Sequence, residues 1–188
     1  MPAGILPATI INNKLYFLFG KENRFEKSAP GYSDFGGGSE KNESYLKTAI
    51  RESVEELTGF LGNEKDIKKL LSKYGTFNID NQISEKKMYR THIFPMKYDP
   101  NFTFYFNNNQ SFIQKKLNPQ VIKSTKIFEK QHIKWICIDD LLKKKKEFRH
   151  FYIDCIHLIL ENRESINDFV FKALTERSSK NKTKKNRN

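Results

Sequence analysis

The chain has 188 residues, with 34 Lys and Arg against 22 Asp and Glu, a formal net charge of +12. That length suits one domain with a substantial core plus a tail, read as 1–176 and 177–188. There is no run of eighteen apolar residues and no leader pattern, which excludes a membrane-spanning helix and argues against secretion.

In chain order, Leu6–Asn12 and Lys14–Phe19 read as a hairpin around Asn12-Asn13, with Tyr16, Phe17 and Phe19 as core. Asp34-Phe35-Gly36-Gly37-Gly38 follows as a loop whose glycines permit close backbone approach to an ion or a phosphate. The spacing of Leu46, Ala49, Ile50, Val54 and Leu57 predicts a helix over Ser44–Leu57, with Ser53 interrupting the stripe. Gly59 supplies the left-handed stop. Lys73–Ile79 and Met88–Lys97 read as strands. Residues 98–126 are rich in Asn and aromatics, among them Phe102, Phe104, Tyr105, Phe106 and Phe112. They read either as a strand and short helix packing inward or as an insertion whose rings stack on a base. Ile133–Ile138 reads as a strand with Trp135 in the core, and Phe148–Leu160 as a helix packed on the sheet. The whole is a mixed α/β domain with helices covering a sheet.

Two basic segments stand out. The run Lys143, Lys144, Lys145 and Lys146 precedes Arg149. The tail carries Arg177, Lys180, Lys182, Lys184, Lys185 and Arg187 with no acid, so it supplies +6 of the charge. Such segments attract polyanions by counterion release. With no apolar residue to bury, the tail is expected to be disordered, either a solubilising end or an RNA or nuclear-import contact. Cys137 and Cys155 lie in apolar runs and read as buried reduced thiols of a cytoplasmic protein. His92, His132, His150 and His157 show no metal-ligand spacing, and His157 reads as structural.

The chemistry is concentrated in Gly37–Gly59. Glu52, Glu55 and Glu56 are three and four residues apart, so they are neighbours on one helix. Three adjacent carboxylates repel unless a cation lies among them, and hard Mg²⁺ or Mn²⁺ prefers such oxygen ligands.

The order Gly37, five residues, Glu43, seven residues, Arg51-Glu52, two residues, Glu55-Glu56 resembles the Nudix box, G-x5-E-x7-R-E-U-x-E-E-x-G-U. It departs from it at Ser53, where the box has an aliphatic residue, and by one extra residue before Gly59. The resemblance implies a Nudix fold, a mixed sheet sandwiched between α-helices, and hydrolysis of a diphosphate linked to another moiety. It implies Mg²⁺ or Mn²⁺ held by Glu52, Glu55, Glu56 and the Gly36 carbonyl, with Gly37 and a Glu43–Arg51 salt bridge supporting the site. The general base is then Glu52 or a loop acid, Glu129 or Glu85. Basic charge and aromatic content point to a nucleotide or capped-RNA substrate, as in viral decapping relatives, which would act in the virion or host cytoplasm. Diphosphoinositol polyphosphates, dinucleoside polyphosphates and a catalytically idle binding domain are the alternatives. Oligomeric state stays open.

Overall fold

The computed structural model describes residues 1–26, 29–125 and 128–185, with side chains described to residue 175. Residue 126 of the aromatic segment and the side chains of Lys184 and Lys185 therefore lie outside the described residues.

The first hairpin pairs β1 (Ala3–Ile11) with β2 (Lys14–Glu22). Asn12 and Asn13 make its turn at φ 49° and 60°. Both angles are left-handed, which asparagine tolerates and which matches the twist of the flanking strands. Two short strands follow, β3 (Tyr32–Ser33) and β4 (Phe35–Gly37). The helices α1 (Tyr45–Glu56) and α2 (Glu64–Tyr74) lead to a second hairpin, β5 (Phe77–Ser84) and β6 (Lys87–Pro95). Helices α3 (Pro100–Lys116) and α4 (Pro119–Ser124) precede β7 (Lys130–Cys137). Helices α5 (Tyr152–Glu161) and α6 (Arg163–Lys185) close the chain.

The seven strands form one mixed sheet. β1 runs parallel to β6 on one edge and antiparallel to β4 and then β2 on the other. β7 lines the outer edge of β2. Alternation along the strands divides the core in two. Leu6, Ala8, Leu15, Phe17 and Phe19 face α5 and α6, where Tyr152, Ile156, Ile159, Ile166 and Val170 meet them. Ala3, Ile5 and Leu18 face the other way, onto Ala49, Leu57, Ile67, Leu71 and Phe106 from α1, α2 and α3. The sheet is thus sandwiched between helices, as expected for the α/β class. Each fully buried aliphatic or aromatic side chain contributes about 1.5–3 kcal/mol.

Several elements differ from the sequence reading. Lys73 and Tyr74 end helix α2, and the strand starts at Phe77. The helix is set by an Asn63–Asp66 capping box and stopped by Gly75 at φ 75°. The aromatic segment is helical, because Asp99 caps α3 by accepting from Asn101 N–H and Pro100 occupies its first turn. The backbone stays helical to Lys185, where disorder is expected from residue 177. No Gly or Pro interrupts that stretch, so the helix started by the packed Ile166–Val170 segment continues. Leu46 is exposed rather than core, and Tyr16 and Trp135 are half-buried. His157 lies on the exposed side of α5. Cys137 and Cys155 are buried and free, as expected.

Asn107 has an architectural task. Its amide donates to the Ile133 carbonyl (3.0 Å) and accepts from the Ile133 N–H (2.8 Å), so α3 seals the outer edge of β7. Replacing it by Leu strands both backbone groups. Asn107→Leu should lower stability by about 1–3 kcal/mol in urea unfolding at unchanged m-value; an unchanged midpoint would show that the edge needs no seal.

Candidate active site

Helix α1 starts at Ser44, whose side chain accepts from Lys47 N–H, and buries Thr48, Ala49, Ile50, Ser53 and Glu56. Ser53 fits that face because its hydroxyl donates to the Ile50 carbonyl at 2.8 Å. After Leu57, Thr58 takes φ 48° and Gly59 φ 75°. The extra residue is thus absorbed by two left-handed positions in a row, one of them on a β-branched residue that disfavours it.

Glu52 and Glu56, one turn apart, both border the glycines of β4. The Gly36 N–H donates to Glu56 Oε2 at 2.9 Å. A Cβ on Gly37 would fall 2.6 Å from the Glu52 carboxyl, and one on Gly36 would fall 2.3 Å from Gly4 Cα. Only glycine permits this approach. Glu55 points outward with 42% of its side chain exposed.

Arg51 braces the group. Its Nε and Nη2 donate to the two oxygens of Glu43, each at 3.1 Å, and Nη2 also donates to the Gly38 carbonyl at 2.8 Å. Its Nη1 lies 2.9 Å from Glu52 and 3.5 Å from Glu55. Thr48 Oγ1 and the Glu40 N–H complete the Glu43 shell. The hydrogen bonds from Arg51 and then from Glu40 N–H hold the Glu43 carboxyl down at about 2. The expected Glu43–Arg51 bridge is therefore present, and it ties the glycine loop to the helix.

Beneath Glu56 lies a lysine that the sequence reading passed over. Lys130 is fully buried, with Nζ 3.1 Å from Glu56 Oε1, and it also donates to Glu22 and to Ser33 Oγ. Arg149 Nη1 reaches the same Glu22 oxygen at 2.7 Å. Burial pushes the Glu56 carboxyl well up, against the pull of Lys130. Asp34 was also missed as a site residue. It is buried beside Gly4 and accepts from Tyr89 OH (2.7 Å) and Thr91 Oγ1 (2.8 Å). Burial raises its carboxyl to about 6. No local pattern flags either residue, since each acts across the sheet.

Of the loop acids, Glu129 is placed where its charge is felt at Glu56. Glu85 lies in the exposed turn between β5 and β6, and no hydrogen bond or ion pair among the described residues ties it to that group. Lys143 pairs with Asp140 (3.2 Å) and Lys144 with Glu147 (3.6 Å), so the basic run is partly neutralised.

The donor set suits a hard divalent cation: carboxylate oxygens of Glu52 and Glu56, one turn apart on one helix, lie against glycine backbone. Among the described residues, no three carboxylates already converge on one point. Glu55 faces out, and Arg51 and Lys130 supply the counter-charge instead.

Comparison with solved structures places this architecture. RenU, a Nudix hydrolase from M. smegmatis, matches at a TM-score of 0.53 and 11% identity over 88% of this chain and 87% of that one. An Ap4A hydrolase from C. elegans, in a binary complex, matches at a TM-score of 0.47 and 16% identity over 87% and 94%. No family model matches, and no curated protein does. The fold is that of Nudix hydrolases.

The sign of the Glu43 shift gives a test. A carboxyl held at about 2 instead of 4.5 contributes stability that is present above pH 4.5 and lost as pH falls from there to about 2. Glu43→Gln should be less stable than wild type at pH 7, and the gap should narrow in thermal melts toward pH 2. A gap constant with pH would remove the Arg51 bridge as its origin.

Proposed function

We propose that the chain is a divalent-metal-dependent hydrolase of a diphosphate linked to a nucleoside. The observation carrying this is the juxtaposition of Glu52 and Glu56 with the β4 glycines, locked by the Glu43–Arg51–Gly38 brace. The net charge of +12 favours a polyanionic substrate.

Glu52, Glu55 and Glu56 would hold Mg²⁺ or Mn²⁺, which when bound neutralises diphosphate charge and acidifies water. Arg51 fixes the loop that carries Gly36, Gly37 and Gly38 against the helix, so the carboxylates keep their spacing. Glu52 would accept the proton of attacking water, with Glu129 as the other candidate. A capped RNA is one member of this substrate class, and the net positive charge of the chain supports it. Dinucleoside polyphosphates and diphosphoinositol polyphosphates are the alternatives, for the same reason of charge.

A second reading, a nucleotide- or RNA-binding domain without turnover, is favoured by one observation: Arg51 and Lys130 already pair with the site carboxylates. One panel separates the two. Purified protein with Mg²⁺ or Mn²⁺ should turn over at least one of capped RNA, dinucleoside polyphosphates, ADP-ribose, nucleoside triphosphates and diphosphoinositol phosphates. Glu52→Gln should lower kcat by about 10²–10⁴-fold on that substrate. Binding without product across the whole panel would sink the hydrolase reading and leave the second.

A further inference from the structure

Four charged side chains are packed together between the sheet and α1: Glu22 of β2, Glu56 of α1, Lys130 of β7 and Arg149 before α5. Two carboxylates and two cations make the cluster neutral. Lys130 is its centre, fully buried and in contact with Glu56, Glu22 and Ser33. Its place is built into the sheet: a Cβ on Gly20 would fall 2.9 Å from Lys130 Cδ, so the glycine makes room for the lysine stem. Both oxygens of Glu56 are engaged, one by Lys130 Nζ and the other by the Gly36 N–H.

We propose that Lys130 is a resident cation of the site, which holds Glu56 in place and competes with a divalent ion for its carboxylate. The inference rests on the reading of Glu56 as a metal-binding residue. A divalent ion reaching Glu56 must share that carboxylate with a fixed ammonium, and buried charges are little screened by solvent or salt. The ammonium cannot swing away easily, since its stem is enclosed and Glu22 and Ser33 hold its other bonds. Lys130 therefore sets how strongly the site binds a divalent ion. It is a positioning residue, acting through Glu56 and not on substrate.

The test is Mn²⁺ binding by wild type, Lys130→Met and Lys130→Arg, read as free Mn²⁺ by electron paramagnetic resonance and as thermal shift with and without Mn²⁺. Lys130→Met keeps the stem and removes the charge. It should melt lower than wild type without metal, bind Mn²⁺ roughly tenfold tighter or more because a like charge beside the ion is gone, and gain a larger Mn²⁺-dependent rise in Tm. Lys130→Arg keeps the charge and should bind as wild type does. A purely structural lysine would lower the metal-free Tm without any gain in Mn²⁺ affinity, and that result overturns the proposal. Where Lys130→Met fails to fold alone, Mn²⁺ should restore it, and so should the second change in Lys130→Met/Glu22→Gln, which returns the cluster of Glu56 and Arg149 to neutrality. If neither recovers a folded chain with tighter Mn²⁺ binding, the proposal falls. Tighter Mn²⁺ binding by Lys130→Met in a protein with no turnover would defeat the hydrolase reading and leave this one standing. Turnover with unchanged affinity would do the reverse.

Discussion

The closeness of α1 to β4 is the constraint from which the site follows. Glycine at 37 lets the Glu52 carboxyl meet strand backbone directly, glycine at 36 lets β4 lie against Gly4 of β1, and Glu56 accepts the Gly36 N–H across the helix–strand contact. A side chain at Gly37 would run into the Glu52 carboxyl and push the helix away, and one at Gly36 would run into Gly4 of β1 and push β4 off the sheet. The apolar residues behind α1, Ala49, Ile50 and Leu57, press it onto the sheet from its other positions. Packing supplies the force, and the glycines set the distance at which it stops.

Bringing carboxylates to a buried contact costs solvation, and the chain offsets that cost with two internal cations placed on opposite sides of the helix. Arg51 works from the solvent side, with two bonds to Glu43 and a third to the Gly38 carbonyl. Lys130 works from the sheet side, between Glu56 and Glu22. The two differ in kind. The guanidinium fork matches a carboxylate and a carbonyl together, so it joins loop to helix. The ammonium is a compact charge at the end of an enclosed stem, so it neutralises Glu56 and Glu22 together and holds them from beneath.

How much of this was legible depended on the range over which each residue acts. The Glu43–Arg51 pair and the carboxylate face are local, eight residues or fewer apart, and the helix period reveals them. Asp34, Lys130 and Asn107 act across the sheet, on partners 55, 74 and 26 positions away respectively by numbering: Tyr89, Glu56 and Ile133. Their importance depends on topology that no local pattern carries. Helix α3 was obscured by its aromatic content, since Phe and Tyr favour strands; the Asp99-Pro100 start is what overrides them. In the box itself the opposite happened. Ser53 and the extra residue before Gly59 look like damage in the sequence, yet each is absorbed locally, by a hydrogen bond to Ile50 and by the left-handed pair Thr58-Gly59.

The distribution of charge then bears on the chemistry. Glu22 and Glu56 are matched in number by Lys130 and Arg149, so the excess of +12 belongs to other parts of the chain, including its basic tail. A polyanion in solution is drawn by that net positive charge. At α1 it meets carboxylates, whose charge is of its own sign. A mobile cation entering with the polyanion would reconcile attraction at long range with repulsion at contact. Lys130 cannot serve as that cation, because it lies behind Glu56 with no exposed surface of its own. Arg51 is committed to Glu43 and the loop. In the proposed hydrolase that cation comes from solution, a divalent ion that Glu52, Glu55 and Glu56 would hold.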